Sequence, residues 1–359
     1  MVVSSGGSVI VTAGRRRSAV RPASGSQQRE PDDQRRSDEP YPLSQHRKKL
    51  PWFPAALGHD DPMSKATFGL GFKVGHWTDP TSMTGCTVLL PPPGNVTSCD
   101  IRGSSPSSRE LVLLDPDRRL TEVHGILLTG GSAFGLAAAT GVVSWLEDHD
   151  IGYDTTITRV PIVPAAVIFD LGAGSKEVRP GPQQGYAACD VASDGAVDVG
   201  RVGAGTGATV GKWAGFEHRS PGGLGIASIE RDGLTVSALA VVNSVGDVLA
   251  RDGSVLAGTM SPEPRFQPRP RRGADVPMNT VLDVVAVEGS FEKREVKWLA
   301  GRGSDGITTA VRPAHTRYDG DVVIGVAVPP ADEGPDRNLD LLGPMATEAM
   351  GEAVRNAVA

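Results

Sequence analysis

The residues best placed to do chemistry are Asn279 and Thr280, and their setting is what draws attention to them. They follow the segment Ser261–Met278, SPEPRFQPRPRRGADVPM, which holds five prolines and four arginines, with Phe266 its only aromatic residue. By composition this is a flexible loop or linker inside an otherwise globular region. A long structureless loop in such a place is more often functional than not. Directly after it come Asn279-Thr280 and the strand-like run TVLDVVAV. A threonine hydroxyl is a weak nucleophile until a base takes its proton. If the peptide bond before Thr280 were cut, the freed α-amine, with an unperturbed pKa of about 7.7–8.0, would be that base at intramolecular distance. From these residues alone, an ordinary threonine opening a strand after a surface loop is the simpler reading.

Other signatures fail on inspection. The run GAGTGATVGKW, Gly203 to Trp213, resembles a phosphate loop but has Thr206 where a glycine is required and Trp213 where Ser or Thr is required. The same run meets a dinucleotide pattern through Gly203, Gly205 and Ala208, yet no buried strand leads into it, so the match is weak. Around Ser132, Phe134 occupies the position of the second glycine of a nucleophile elbow. None of the seven histidines has metal-ligand spacing, and no metal or other cofactor is expected. Cys86, Cys99 and Cys189 are too few and too scattered for a disulfide framework, and read as small buried hydrophobes.

The chain of 359 residues has a net charge of −6, which disfavours a general nucleic-acid binder. No stretch approaches the roughly 18 apolar residues of a membrane span, and the N-terminus lacks the order of a signal peptide, so a cytoplasmic protein with no membrane partner is expected. Residues 1–62 are rich in Ser, Arg, Gln, Pro and Asp and read as a disordered tail. From Gly69 onward short strand-like runs alternate with a few helices. Leu224 to Glu230 and Leu234 to Val242 flank Arg231-Asp232-Gly233, a hairpin signal. Thr280 to Val287 and Asp321 to Val328 are further strands. Helices are expected from a Ser132 cap to about Asp148, from Phe291 to Ala300, and from about Leu339 to Ala357. This mixture predicts an α/β layered sandwich, a single domain over 63–359.

Several stretches together resemble one family. VGHWTD, TGCTVLL, IRG and SRE (between Val74 and Glu110), LLTGGSAFGLAAATGVVSWLE (Leu127 to Glu147), VPAAVIFDLG, GAGTGATVGKW, AVVNSVGDV, the Asn279-Thr280 junction and HTRYDGDVV occur in the order found in the L-aminopeptidase/D-esterases. That family also holds the β-peptidyl aminopeptidases and the nylon-oligomer endohydrolases. The resemblance covers nearly everything from about Phe72 onward. It implies an αββα sandwich of the N-terminal-nucleophile-like type and a precursor that cuts itself between Asn279 and Thr280. The 63–279 and 280–359 parts would stay associated, within a homo-oligomer, and act on a small peptide or amide substrate. The Asn-Thr junction resembles the nylon-oligomer hydrolases rather than the Gly-Ser of typical aminopeptidases.

The resemblance also implies site residues. Lys212 would hold the Thr280 hydroxyl, Asn243 would donate its side-chain amide to a developing oxyanion, and Asp319 and Asp321 would orient Thr280 and its ammonium. Each has a plainer reading: a surface lysine, a turn asparagine, a solvated Asp-Gly-Asp turn. Gly130 and Gly131 are assigned with Phe169 to the substrate pocket. Phe169 departs from the family pattern, which has a tyrosine there, and so lacks a donor. That departure keeps open a catalytically weak member that only binds. An acyltransferase of the ornithine-acetyltransferase type is the other alternative, although its Ala-Thr-Met-Leu junction is absent.

Overall fold

The computed structural model describes residues 64–264, 279–330 and 338–359; the tail over 1–62 and most of the Pro/Arg segment lie outside the described residues. The main strands, in chain order, are β1 (Lys73–Asp79), β2 (Thr84–Leu90), β3 (Val96–Ile101), β4 (Ser108–Arg109), β5 (Ile126–Thr129), β6 (Ala165–Val167), β7 (Gly223–Arg231), β8 (Leu234–Asn243), β9 (Thr280–Glu288) and β10 (Val322–Val328). The helices that cover them are α1 (Ala138–Asp148), α2 (Pro182–Asp190), α3 (Lys293–Ala310) and α4 (Leu339–Asn356).

These strands form two five-stranded sheets, ordered β7-β8-β9-β10-β3 and β1-β2-β5-β6-β4. In each sheet one parallel pair, β9 with β10 or β5 with β6, interrupts otherwise antiparallel pairing. Side-chain alternation along β9 builds the layers. Leu282, Val284 and Ala286 meet Leu89, Leu128 and Ala166 of the other sheet. Val281, Val285 and Val287 meet α3 and α4 through Val296, Ile307, Met345 and Met350. On the far side, Val88 and Leu127 pack against Val142 and Leu146 of α1. The result is helices, sheet, sheet, helices: the expected αββα sandwich.

Local signals explain several elements. The β7–β8 hairpin turns at Asp232 and Gly233, both at positive φ (52° and 75°), the backbone that a tight two-residue hairpin requires. Asn338 caps α4 by accepting from the Leu341 amide at 3.1 Å.

Two expectations need correction. Ser132 does not cap a helix. It lies at φ 54° inside a 3₁₀ segment, Ser132–Ala137, that leads into α1, and its own amide donates to Ile168 O. The second helix runs ten residues past Ala300. Gly301, Gly303 and Gly306 look like a stop by propensity, but the helix is buried there. A Cβ at Gly306 would lie 2.4 Å from Thr347 O of α4, so close helix packing selects glycine.

Candidate active site

Thr280 opens β9, a central strand, on the face that looks across to the second sheet. The β8–β9 register places Asn243 directly opposite it. On the other side, Asn279 bridges to Asp319 in parallel fashion just before β10. Three chain segments thus converge at one end of the sheet, and Asn279, Thr280, Asn243, Asp319 and Asp321 are all buried.

The bond between Asn279 and Thr280 is held in a defined way. The Thr280 hydroxyl donates to the Asn279 carbonyl oxygen at 2.5 Å. The Gly320 amide donates to the same oxygen at 2.8 Å. A Cβ on Gly320 would stand 2.5 Å from Ser105 O and 3.0 Å from Thr280 Oγ1, so glycine lets this amide come close. The carbonyl therefore carries two donors, one of which is its own neighbour's hydroxyl.

Lys212 is 2% exposed and is no surface lysine. Gly211, at φ 71° and pressed against Gly258, turns the backbone so that the amides of Gly211 and Lys212 dock on Gly246 O and Val245 O. From there the ammonium reaches Asn243, at 2.8 Å from Oδ1 and 3.1 Å from the backbone oxygen. Thr209 N also donates to Asn243 Oδ1, at 3.1 Å. With its oxygen held by Lys212 and Thr209, the Asn243 amide is oriented so that Nδ2 donates outward, to Phe169 O at 3.5 Å. That bond is long and would be given up readily to a better acceptor.

The two aspartates have separate partners. Asp319 accepts from Thr316 N at 2.8 Å, Thr316 Oγ1 at 2.6 Å and Val245 N at 3.2 Å. Burial first, then the charge of Asp321, raises its carboxyl to about 6. Asp321 accepts from Val281 N at 2.8 Å through one oxygen and contacts His315 Nδ1 at 2.7 Å through the other.

Phe169 is half-buried beside Asn243, and the buried Asp170 follows it. Gly130 and Gly131 wrap this carboxyl. Gly131 N donates to Asp170 Oδ1 and Thr84 Oγ1 to Oδ2, each at 2.7 Å, and a Cβ at Gly130 would lie 2.0 Å from Oδ2. Both glycines are buried, and their visible task is to shape the loop that carries Phe169.

Sequence reasoning missed His315, Gly320, Thr209, Thr316, Asp170 and Asp283. Asp283 is fully buried in β9, with no hydrogen-bond partner on either oxygen among the described residues. Burial, then the charge of Asp321, pushes its carboxyl well above the usual carboxylate range. An aspartate inside the hydrophobic run TVLDVVAV was the available signal. The three cysteines are buried and free. Burial pushes the thiols of Cys86 and Cys189 up to about 12 and that of Cys99 to about 11, so they are inert. Among the described residues no His, Cys, Asp or Glu cluster could hold a metal, and no helix is long and apolar enough to cross a membrane.

The layering and the buried Thr280 at a strand's head define a class, the N-terminal-nucleophile hydrolase fold. Solved structures agree. The chain resembles an L-aminopeptidase D-Ala-esterase/amidase from Ochrobactrum anthropi, described as a variant of that fold, with TM-score 0.60 and 21% identity over 82% of this chain and 88% of the other. A Burkholderia β-aminopeptidase matches with TM-score 0.57 and 20% identity, over 83% and 88%. Within this class the chain belongs to peptidase family S58, whose model matches residues 70–359. Among sequence relatives, an uncharacterised aminopeptidase of Mycobacterium leprae is 40% identical over 292 residues, covering 74% of this chain and 79% of that protein. A 6-aminohexanoate-oligomer endohydrolase of Agromyces is 28% identical over 309 residues, covering 80% and 84%.

Proposed function

We propose that this chain is a self-processing amide hydrolase that cuts its own Asn279–Thr280 bond and then uses Thr280 as an N-terminal nucleophile. The observation that carries the reading is the Asn279 carbonyl, met by the Thr280 hydroxyl at 2.5 Å and the Gly320 amide at 2.8 Å. In the first reaction Thr280 Oγ attacks the Asn279 carbonyl carbon, and charge grows on the oxygen that Gly320 N–H already faces. The C–N bond breaks, the hydroxyl proton passes to the departing Thr280 nitrogen, and an ester remains. Water cleaves that ester to give the Asn279 carboxylate and a free Thr280.

In the second reaction the same hydroxyl attacks a substrate amide. The Thr280 amine takes its proton and returns it to the leaving amine, and water hydrolyses the acyl-threonine. Once Asn279 withdraws, Gly320 N–H and Asn243 Nδ2 are the donors at hand for the substrate oxyanion. The buried Lys212 ammonium, fixed by Asn243, adds positive charge at the same strand end. The substrate class is a small peptide or linear amide, in keeping with the names of the relatives.

The test is a pair of variants. Thr280→Ala should abolish both processing and hydrolysis of aminoacyl anilides, whereas Thr280→Ser should retain some of each. A processed Thr280→Ala chain would mean that another protease makes the cut.

A further inference from the structure

Beneath the nucleophile lies a histidine–aspartate contact that the two reactions above do not use. Asp321 Oδ1 accepts from the amide of Val281, one residue past Thr280, and Oδ2 lies 2.7 Å from His315 Nδ1. The second imidazole nitrogen, Nε2, is 3.1 Å from Ser304 O of α3. A carbonyl oxygen only accepts, so Nε2 carries a hydrogen. The contact between Nδ1 and Oδ2 also needs one hydrogen. The two contacts thus call for two hydrogens, an arrangement that an imidazolium beside a carboxylate satisfies.

The groups facing this pair come from several elements. Asp319, just before β10, feels the charge of Asp321, and so does the buried carboxyl of Asp283 in β9. Arg102, at the end of β3, opposes a charged imidazole from a distance while it is itself paired with Asp100 and Asp305. Burial works against the imidazolium, but the hydrogen bond and charge of Asp321, with the Ser304 carbonyl, outweigh it and raise the His315 pKa.

We propose that His315 is a positioning residue whose imidazolium offsets the charge of Asp321, so that the freed Thr280 amine meets a net-neutral ion pair rather than a bare carboxylate. The inference rests on the processing reaction proposed above. A bare carboxylate beside an amine stabilises the ammonium and lifts its pKa by about 1–3 units. The amine would then stay protonated at neutral pH and fail as a base. The imidazolium cancels that effect while Asp321 keeps its hold on Val281 N–H.

Two measurements test this. In the uncleaved Thr280→Ala chain, the His315 Cε1–H resonance, assigned by its loss in His315→Asn, should titrate above free histidine. Adding Asp321→Asn should bring it down. Titration at or below the free value would overturn the ion pair, and this readout needs no processing. The second arm compares kcat/KM against pH for the processed wild type and for His315→Asn, whose neutral amide can still donate to Asp321. The acidic limb should move up by about one pH unit or more; a limb that coincides with the wild type overturns the proposal. Where His315→Asn fails to fold or process, His315→Gln takes its place and the resonance is assigned from that variant instead. A wild-type chain that never processes would overturn the hydrolase reading and this inference together, whereas a processed chain with an unmoved limb overturns the inference alone.

Discussion

Replacing Asp319 with asparagine should remove a pH-dependent loss of stability between about pH 4 and pH 6. The native carboxyl, buried and facing Asp321, has a pKa raised from 3.8 to about 6. Between those values the folded chain binds more protons than the unfolded one, so stability falls as pH rises and the loss is complete above the folded pKa. The shift corresponds to roughly 3 kcal/mol at about 1.4 kcal/mol per unit. Asparagine has one acceptor oxygen for the donors Thr316 N, Thr316 Oγ1 and Val245 N, so at least one goes unmet, at about 1–3 kcal/mol at any pH. The variant should therefore be the less stable protein at pH 4 and close to the parent at pH 7.5. Urea unfolding in the Thr280→Ala background, which keeps every chain intact, reads both curves. A stability difference that stays constant from pH 4 to pH 7.5 would refute the assigned ionisation.

Other perturbations address neighbouring parts of the account. Gly320→Ala should slow self-cleavage by about 10²–10³, the usual effect of losing an oxyanion donor, because its methyl pushes the amide away from Asn279 O; cleavage at the parent rate, followed by gel densitometry, would remove Gly320 from the mechanism. Asp283→Val should raise stability by about 1–3 kcal/mol by deleting an unpartnered buried polar group, with the gain growing as pH rises above about 4; lower stability by thermal melts at pH 8 would show that the acid has a partner after all. Phe169→Tyr should raise kcat on simple amides more than it changes KM, by about ten- to a hundredfold at most, since one charge-assisted hydrogen bond supplies about 1.5–3 kcal/mol. Unchanged turnover in a processed Phe169→Tyr protein would recast Phe169 as an apolar wall of the pocket. Substrates offered with and without acyl acceptors separate hydrolysis from acyl transfer, and hydrolysis is the expected outcome.

What the sequence made legible follows from how far each signal reaches along the chain. The Asp232-Gly233 hairpin and the valine-rich strands depend on neighbouring residues, so local pattern was enough to place them. The continuation of α3 past Gly301 depends on how closely Gly306 approaches α4, a tertiary fact that overrides propensity. The hydroxyl of Ser132 suits a cap, but Gly131 and the Ile168 carbonyl decide the backbone there. Thr280 stands out by its setting, but Lys212, Asn243, Asp319 and Asp321 are reachable only through the resemblance. They come from segments far apart in sequence, and no spacing rule joins them. The structure brings Thr280, Asn243 and Lys212 to one strand end and Asp319 and Asp321 to its flank. His315 had a weak signal, six residues before Asp321, because its value depends on the Ser304 carbonyl of another element.

The central claim concerns one peptide bond, and Edman sequencing with intact-mass measurement of the purified wild-type chain tests it most directly. After incubation at neutral pH the account predicts two associated fragments, the smaller comprising residues 280–359 and beginning Thr-Val-Leu-Asp. A chain that stays whole, or one cut at any bond other than Asn279–Thr280, would contradict it.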